Sequence, residues 1–88
     1  MNTEFTSSFE KNLEKIIDPI LRQKVKQVIL SVENATMKSD IPELRKLKGY
    51  KIFYRIKVGS YRIGVTIKNN LVTFFAFMHR KDIYKFFP

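Results

Sequence analysis

Arginine and lysine side chains crowd one short stretch in the second half of the sequence. Arg55 and Lys57 are two residues apart, and Arg62 follows them after the dipeptide Gly59-Ser60. A spacing of two places Arg55 and Lys57 on one face of a strand, and a two-residue turn pairs Lys57 with Arg62. Like charges directly opposite each other across a ladder destabilise a hairpin by up to about 1 kcal/mol, and a bound phosphate relieves that repulsion. The spacing therefore predicts a phosphate-binding face.

The closing residues of the sequence add groups of the same kind. The third predicted strand, 71–79, is apolar on both faces, so we expect the following residues to fold back over the sheet. That would bring His79, Arg80, Lys81 and Tyr84 toward the basic surface. Guanidinium groups bind phosphate oxygens in pairs, lysine can accept a proton, and a tyrosine hydroxyl can donate one. Such a cluster can hold a phosphodiester, stabilise the charge of a phosphorane and move protons without a metal.

The net charge points to the same class of partner. Residues 1–44 carry six basic and seven acidic side chains, whereas residues 45–88 carry eleven basic side chains and a single acidic one, Asp82. Charge this concentrated repels itself, so a polyanion such as nucleic acid is the favoured partner. The alternative interpretation is a solvated, lysine-rich surface without a specific ligand.

Composition excludes several other classes of protein. The chain has no cysteine and one histidine, which removes disulfides, thiol catalysis and the usual zinc ligands, so we predict neither a metal nor a cofactor. No apolar run approaches the roughly 18 residues of a membrane span, and the first residues lack a signal-peptide core. We therefore expect a cytoplasmic protein without a membrane partner. Eighty-eight residues predict one domain, 1–88.

The first half of the sequence predicts a helical hairpin. Ser7 followed by Glu10 fits a capping box, and an apolar stripe at helical spacing follows. Asp18-Pro19 then predicts the start of a second helix that runs to about Asn34. Residues Met1–Phe5 fit a short edge strand before the hairpin.

The second half changes to a period of two. After a short basic turn, Leu44–Lys48, three strands are predicted at 50–58, 61–68 and 71–79, joined by tight turns at Gly59-Ser60 and Asn69-Asn70. The fold class is therefore α+β, with the helical hairpin packed on an antiparallel sheet.

Two-residue turns also fix a predicted register. The face toward the helices would pair Val58 with Tyr61, Ile56 with Ile63, Tyr54 with Val65, Ile52 with Ile67, Val65 with Phe74, Ile63 with Ala76, and Tyr61 with Met78. The same register would place Phe77 beside Arg62 on the outer face. Gly64 would lie opposite Arg55 and leave a hollow there.

These segments together resemble the RelE/ParE superfamily of bacterial toxins from toxin–antitoxin systems. The resemblance covers nearly the whole chain, from FTSSFEKNLEKI through LRKLKGYKIFYRIKVGSYRIGVTI to FMHRKDIYKFF. It rests on the Leu47-Lys48-Gly49 turn, the hairpin of residues 54–62 and the ending of residues 79–84, in this order. It implies a RelE-like domain with element order β-α-α-β-β-β.

The resemblance also implies an activity. RelE-type members cut messenger RNA in the ribosomal A site without a metal, using the 2′-hydroxyl of the substrate as the nucleophile. It implies Lys57 as general base, Arg62 and Arg80 as transition-state stabilisers, and Tyr84 as acid or orienting group, with His79 as an alternative base. The implied RNA-binding or phosphate-binding residues are Lys48, Lys51, Arg55, His79 and Lys81.

Two other functions remain open at this point. The same fold serves ParE-type toxins, which poison DNA gyrase without nuclease chemistry, and a non-catalytic nucleic-acid-binding module would carry a similar charge. The set of basic and tyrosine residues favours the endoribonuclease. For either kind of toxin, the resemblance implies a cognate antitoxin as the protein partner.

Overall fold

The computed structural model describes all 88 residues, Met1–Pro88. Five strands form one mixed sheet in the order β1-β5-β4-β3-β2, in which β1 is parallel to β5 and all other neighbours are antiparallel. No helix has the length and apolarity that a membrane crossing requires. The elements are β1 Asn2–Phe5, α1 Ser7–Glu14, α2 Pro19–Asn34, β2 Leu44–Lys46, β3 Phe53–Val58, β4 Tyr61–Lys68, β5 Leu71–His79 and α3 Ile83–Phe86.

The two faces of the sheet have different covers. Helices α1 and α2 pack on one face, here called the helix face, where side chains such as Phe9, Val25, Ile63 and Phe74 are fully buried or nearly so. The opposite or outer face is only partly covered, by α3 and the residue after it. The predicted α+β class is confirmed.

The N-cap residue of helix α1 lies one position earlier than predicted. The hydroxyl of Thr6, not that of Ser7, accepts a hydrogen bond from the Phe9 amide at 3.1 Å, and Ser7 is the first helical residue. Thr6 is also anchored to β5, because its amide donates to the Phe74 carbonyl and its hydroxyl donates to the Phe75 carbonyl. These two bonds to the sheet fix Thr6, and not Ser7, at the N-cap position.

Helix α2 begins and ends as predicted. The carboxylate of Asp18 accepts hydrogen bonds from the amides of Ile20 and Leu21, and Pro19 occupies the first helical position. The missing amide hydrogen of proline costs nothing there, because that group has no partner inside the helix. The helix ends at Asn34.

The sheet has β1 and β2 as its edge strands, and only β1 was predicted. The expected edge strand at Met1–Phe5 is confirmed as β1, which lies beside β5. The predicted basic turn at Leu44–Lys48 is wrong, because Leu44–Lys46 forms strand β2 and pairs with β3. Three residues, two of them charged, are too few to show an alternating pattern. Strand β3 starts at Phe53, three residues later than predicted, and the loop that precedes it contains Gly49 at a φ of 87°.

The register of the first predicted hairpin is confirmed. Strands β3 and β4 pair Val58 with Tyr61 and Lys57 with Arg62, and the ladder continues to Phe53. Beyond it, the Ile67 amide still donates to the Ile52 carbonyl at 2.9 Å. A two-residue turn at Gly59-Ser60, with Gly59 at a φ of 59°, fixes this alignment.

The register of the second hairpin holds only near its turn. Val65 pairs with Phe74 as predicted, but an irregularity at Gly64/Val65 leaves an extra residue on β5. Ile63 therefore pairs with Phe77 instead of Ala76, and Tyr61 pairs with His79 instead of Met78. A bulge of this kind moves every later side chain to the opposite face.

The bulge corrects the placement of two side chains. Phe77 is 2% exposed and belongs to the core on the helix face, so the expectation that it lies beside Arg62 is wrong. Met78 is the residue opposite Arg62. The Phe77 amide donates to the side-chain oxygen of Asn12 in α1 at 3.0 Å, which gives this backbone group a partner beside the bulge.

The end of the chain folds over the outer face, as predicted from the apolar character of β5. Ile83 and Phe87 are buried and form a small second core with Ala76. The Phe87 ring occupies the hollow above Gly64, where an added Cβ would lie 2.5 Å from its Cδ2 atom. The predicted hollow exists, and an aromatic ring from the same chain fills it.

Asp40 gives the fold a testable dependence on pH. Its carboxylate accepts hydrogen bonds from the hydroxyl and amide of Thr36 and from the amide of Met37, and these bonds, the Thr36 hydroxyl foremost, hold its pKa below the ordinary 3.8. A lowered folded-state pKa stabilises the fold above the unfolded value, and this stabilisation disappears as the pH falls through the folded value.

We therefore expect Asp40→Ala to unfold at lower urea concentration than the wild type at neutral pH. The difference should shrink between neutral and acid pH, as the pH falls through the lowered folded-state pKa of Asp40 and the carboxylate becomes protonated. Ser39→Ala, at the neighbouring exposed position, is the control and should show no such dependence. An Asp40→Ala deficit of equal size at both pH values would contradict this account.

Candidate nucleic-acid interface

Four basic side chains stand in two adjacent rows on the outer face of the sheet. Arg45 of β2 pairs with Arg55 of β3, and Lys57 of β3 pairs with Arg62 of β4. Their strand neighbours Tyr54, Ile56 and Ile63 are buried in the core on the helix face, which directs these four outward. We call Arg45, Arg55, Lys57 and Arg62 the cationic face. Residues 55 and 57 are about 7 Å apart along the strand.

Main-chain carbonyl groups, and no carboxylates, orient the two central arginines. Arg62 donates from Nη1 to the carbonyls of Gly59 and Tyr61, each at 2.9 Å. Arg55 donates from Nη1 to the carbonyl of Glu43 at 2.9 Å. Each guanidinium group is therefore held in place while most of its donors stay available to a ligand.

The cationic face has no counter-charge from the chain. The ion pair of the structure joins Lys85 to Asp82 at 3.6 Å on α3 and its cap, and no carboxylate lies within 4 Å of the four basic groups. Unrelieved repulsion between facing cations favours the binding of an anion. This is the electrostatic pattern expected of a phosphate site.

The structure brings Arg80 to the same turn that Arg62 contacts. The Arg80 amide donates to the carbonyl of Ser60 at 2.8 Å, and the Arg80 side chain is exposed. The main chain of Arg80 therefore lies at the Gly59-Ser60 turn, which joins the two strands that carry Lys57 and Arg62. Tyr84 follows on α3, where it is 56% exposed and stands on the segment that covers the outer face.

His79 does not share the surface of Lys57. It pairs with Tyr61, whose ring meets the imidazole edge-on at 5.4 Å and packs against the core on the helix face. Its Nδ1 atom accepts the Lys81 amide at 3.1 Å. The bulge in β5 places His79 on the helix face. The expectation that His79 joins the basic surface is therefore wrong.

The three remaining predicted lysines are exposed at the rim. Lys48 and Lys51 lie in the loop between β2 and β3, and Lys81 lies in the turn before α3. None has a carboxylate within 4 Å. They lie outside the strand ladder of the cationic face, and their predicted contact with RNA rests on their charge.

The aromatic residues of the outer face serve as cover. Phe53 and Phe75 are half-buried and contact the Phe87 ring, with centroids at 5.5 Å and 6.0 Å. They belong to the second small core, so they support the C-terminal segment and do not offer open stacking surfaces.

Arg45 is the residue of this surface that the sequence did not single out. Its position depends on strand β2, which the pattern of residues did not reveal. Once β2 is in place, the pairing of Arg45 with Arg55 repeats the pairing of Lys57 with Arg62. A basic residue two positions before the Leu47-Lys48-Gly49 turn is the only signal in the sequence.

Comparison with known proteins agrees with this architecture. A family model described as the ParE toxin of the type II toxin–antitoxin system parDE matches residues 3–84. The chain therefore belongs to this family of type II toxin–antitoxin toxins.

Its relatives make it a RelE-like member of that family. Toxin RelE3 of Methanocaldococcus jannaschii is 36% identical over an alignment of 89 positions, which spans the whole of both chains. A chain of the RelB–RelE antitoxin–toxin complex from Methanococcus jannaschii is 33% identical, with a TM-score of 0.81 over 97% of this chain and 99% of the other. A mutant of Escherichia coli toxin RelE, 20% identical, shares the fold with a TM-score of 0.71 over 96% and 90% of the two chains.

Proposed function

We propose that this protein is an endoribonuclease that cuts messenger RNA in the ribosomal A site, without a metal. The observation that carries the proposal is the Lys57–Arg62 pair, two facing cations without a carboxylate partner, beside the turn that also holds Arg80. A phosphodiester bound there would meet cationic donors from three segments of the chain. Likeness to toxins named RelE supports the same choice.

The reaction assigns one role to each group. The 2′-hydroxyl oxygen of the substrate attacks the neighbouring phosphorus, and Lys57, reacting as the neutral amine, accepts the hydroxyl proton and becomes the ammonium. Arg62 and Arg80 stabilise the negative charge on the phosphorane oxygens. The bond from phosphorus to the 5′-oxygen then breaks, and Tyr84 donates a proton to that oxygen or orients the phosphate. The products are a 2′,3′-cyclic phosphate and a 5′-hydroxyl end.

An antitoxin is the proposed protein partner, and the cytoplasm is the proposed location. The similar RelE chain from Methanococcus jannaschii was solved in complex with RelB. Residues 45–88 of this chain carry eleven basic side chains against one acidic, which suits an acidic antitoxin segment. Such a segment would either cover the cationic face or displace Tyr84.

Primer extension on a defined mRNA tests the proposal directly. Ribosomes stalled with an empty A site are incubated with the purified protein, and a lane without ribosomes is run beside them. We expect new 5′ ends at the A-site codon that depend on the ribosome and disappear when a 2′-deoxynucleotide replaces the attacking hydroxyl. Intact mRNA in the presence of wild-type protein would overturn the proposal.

Arg80→Ala should lower the rate of this cleavage about a hundredfold, because one donor to the phosphorane is lost. Lys68→Ala is the matched control, since Lys68 is an exposed cation at the far end of β4. Its rate should stay within about twofold of the wild type. Equal losses in the two variants would show that only total charge matters.

Inhibition of DNA gyrase is the second candidate function, and the match of the chain to the ParE toxin family model favours it. A gyrase cleavage assay discriminates between the two. Stabilised gyrase–DNA cleavage by wild-type protein, together with intact mRNA, would establish the ParE-type activity. The endoribonuclease proposal expects the reverse result.

A further inference from the structure

A second pair of facing cations lies one row away from the proposed catalytic pair. Arg45 and Arg55 are direct neighbours across β2 and β3, on the same face as Lys57 and Arg62. Neither arginine has a carboxylate within 4 Å. The cleavage chemistry uses the Lys57–Arg62 row. In the second row Arg55 is an implied phosphate-binding residue, but its partner Arg45 has no assigned role.

The second pair weakens the strand that carries it. β2 is an edge strand of three residues, and like charges placed opposite each other oppose its pairing with β3. A residue such as threonine at position 45 would suit the strand better. The repulsion therefore needs a compensating gain, which a bound anion would supply.

The backbone around the pair directs one of its members toward the catalytic row. The carbonyl of Glu43 accepts both the Arg55 guanidinium, at 2.9 Å, and the Lys57 amide, at 3.2 Å. Glu43 adopts a φ of 62°, an uncommon conformation for this residue type. The guanidinium of Arg55 is thus held close to the main-chain amide of Lys57.

We propose that Arg45 and Arg55 form a second phosphate subsite, which binds the phosphodiester next to the one that is cut. The two rows are about 7 Å apart, a spacing that neighbouring phosphates of an extended RNA strand can match. Two planar guanidinium groups offer paired donors to the oxygens of one phosphate. The subsite rests on the proposed function, and its ligand class is single-stranded RNA.

The chain offers a matched pair of variants. Lys46 is next to Arg45 in the same strand, but it pairs with Tyr54, whose side chain belongs to the core on the helix face. Arg45→Thr and Lys46→Thr each remove one positive charge from β2 and install the same residue. Only the first removes a cation from the outer face.

Binding of a five-nucleotide RNA with 2′-O-methyl groups is measured over a range of salt concentrations. This RNA cannot be cut by 2′-hydroxyl attack. We expect Arg45→Thr to weaken binding about tenfold and to lower the salt slope by about 0.7, the value for one phosphate contact on a single strand. Lys46→Thr should weaken binding by less than about threefold. Arg45→Thr should also raise the melting temperature by up to about 5 °C, because it removes the cross-strand repulsion.

Equal losses of RNA binding in the two variants would overturn the subsite, as would a lower melting temperature for Arg45→Thr. Polyglutamate serves as a second probe, and an Arg45-specific loss confined to polyglutamate would assign the pair to an acidic protein segment instead. The readout is independent of cleavage. If the protein does not cleave mRNA but Arg45→Thr alone weakens RNA binding, the proposed function is overturned and the phosphate subsite stands.

Discussion

Replacing Lys57 by alanine is expected to slow single-turnover cleavage of ribosome-bound mRNA by about 10²–10⁴-fold, the range for loss of a general base. Lys57 is exposed on the outer face of β3, and its ammonium has no carboxylate partner in the chain. The substitution removes no buried side chain and relieves the repulsion from Arg62. The fold should therefore remain as stable as in the wild type.

Lys57→Arg separates the two roles that a lysine can have at this position. Arginine keeps the positive charge, but its guanidinium does not give up a proton in proteins. If Lys57 is the base, Lys57→Arg should be nearly as slow as Lys57→Ala; if it only binds phosphate, arginine should restore most of the rate. Restoration by arginine, or a comparable loss in His79→Ala with Lys57→Ala near wild type, would contradict the assignment of the base.

Gly64→Ala is expected to have the largest effect on structure among small substitutions. A Cβ at this position would lie 2.5 Å from Cδ2 and 2.7 Å from Cγ of Phe87, so the ring would have to leave its place. Overpacking of this kind costs about 1–3 kcal/mol. The cost is limited by local release of residues 83–87, since the main core on the helix face does not include them.

A double-mutant cycle with Phe87→Ala tests this contact by urea denaturation. Gly64→Ala should destabilise the wild type by about 1–3 kcal/mol but cost less than about 0.5 kcal/mol when Phe87 is already alanine. Thr66→Ala, on the same strand and face, is the control and should cost the same in both backgrounds. Additive effects of Gly64→Ala and Phe87→Ala would refute direct packing. Cleavage should fall in Gly64→Ala as well, because Tyr84 is on the displaced segment.

The accuracy of the sequence predictions depended on how tightly each turn fixes its strands. Gly59-Ser60 leaves one choice of register, so the positions of Arg55, Lys57 and Arg62 followed from the sequence. Strand β5 reads LVTFFAFMH, and apolar residues occupy both of its faces. An alternating pattern cannot report an extra residue in such a strand, because either register buries apolar side chains.

The same reason explains which site residues were misplaced or missed. His79 lies beyond the bulge. The extra residue on β5, which the sequence pattern does not reveal, places His79 on the helix face. Arg45 lies on a strand of three residues that exists because β3 offers it hydrogen-bonding partners, not because its own sequence favours extension. Tertiary pairing of this kind is invisible to local patterns.

The place of β5 in the sheet has a consequence for how the protein is made. It is the last strand along the chain, yet it lies between β1 and β4, and Asn2–Phe5 must wait for residues 71–74 to find their partner. Contacts between such distant segments slow folding, because the entropy of closing a long loop is lost before the contacts form. Synthesis on the ribosome proceeds from the N-terminus, so β1 stays unpaired while β2, β3 and β4 emerge. Arg80 and Tyr84 are made after β5 as well, so a partly made chain would lack two of the four groups of the proposed cleavage reaction and would not cut the mRNA from which it is being translated.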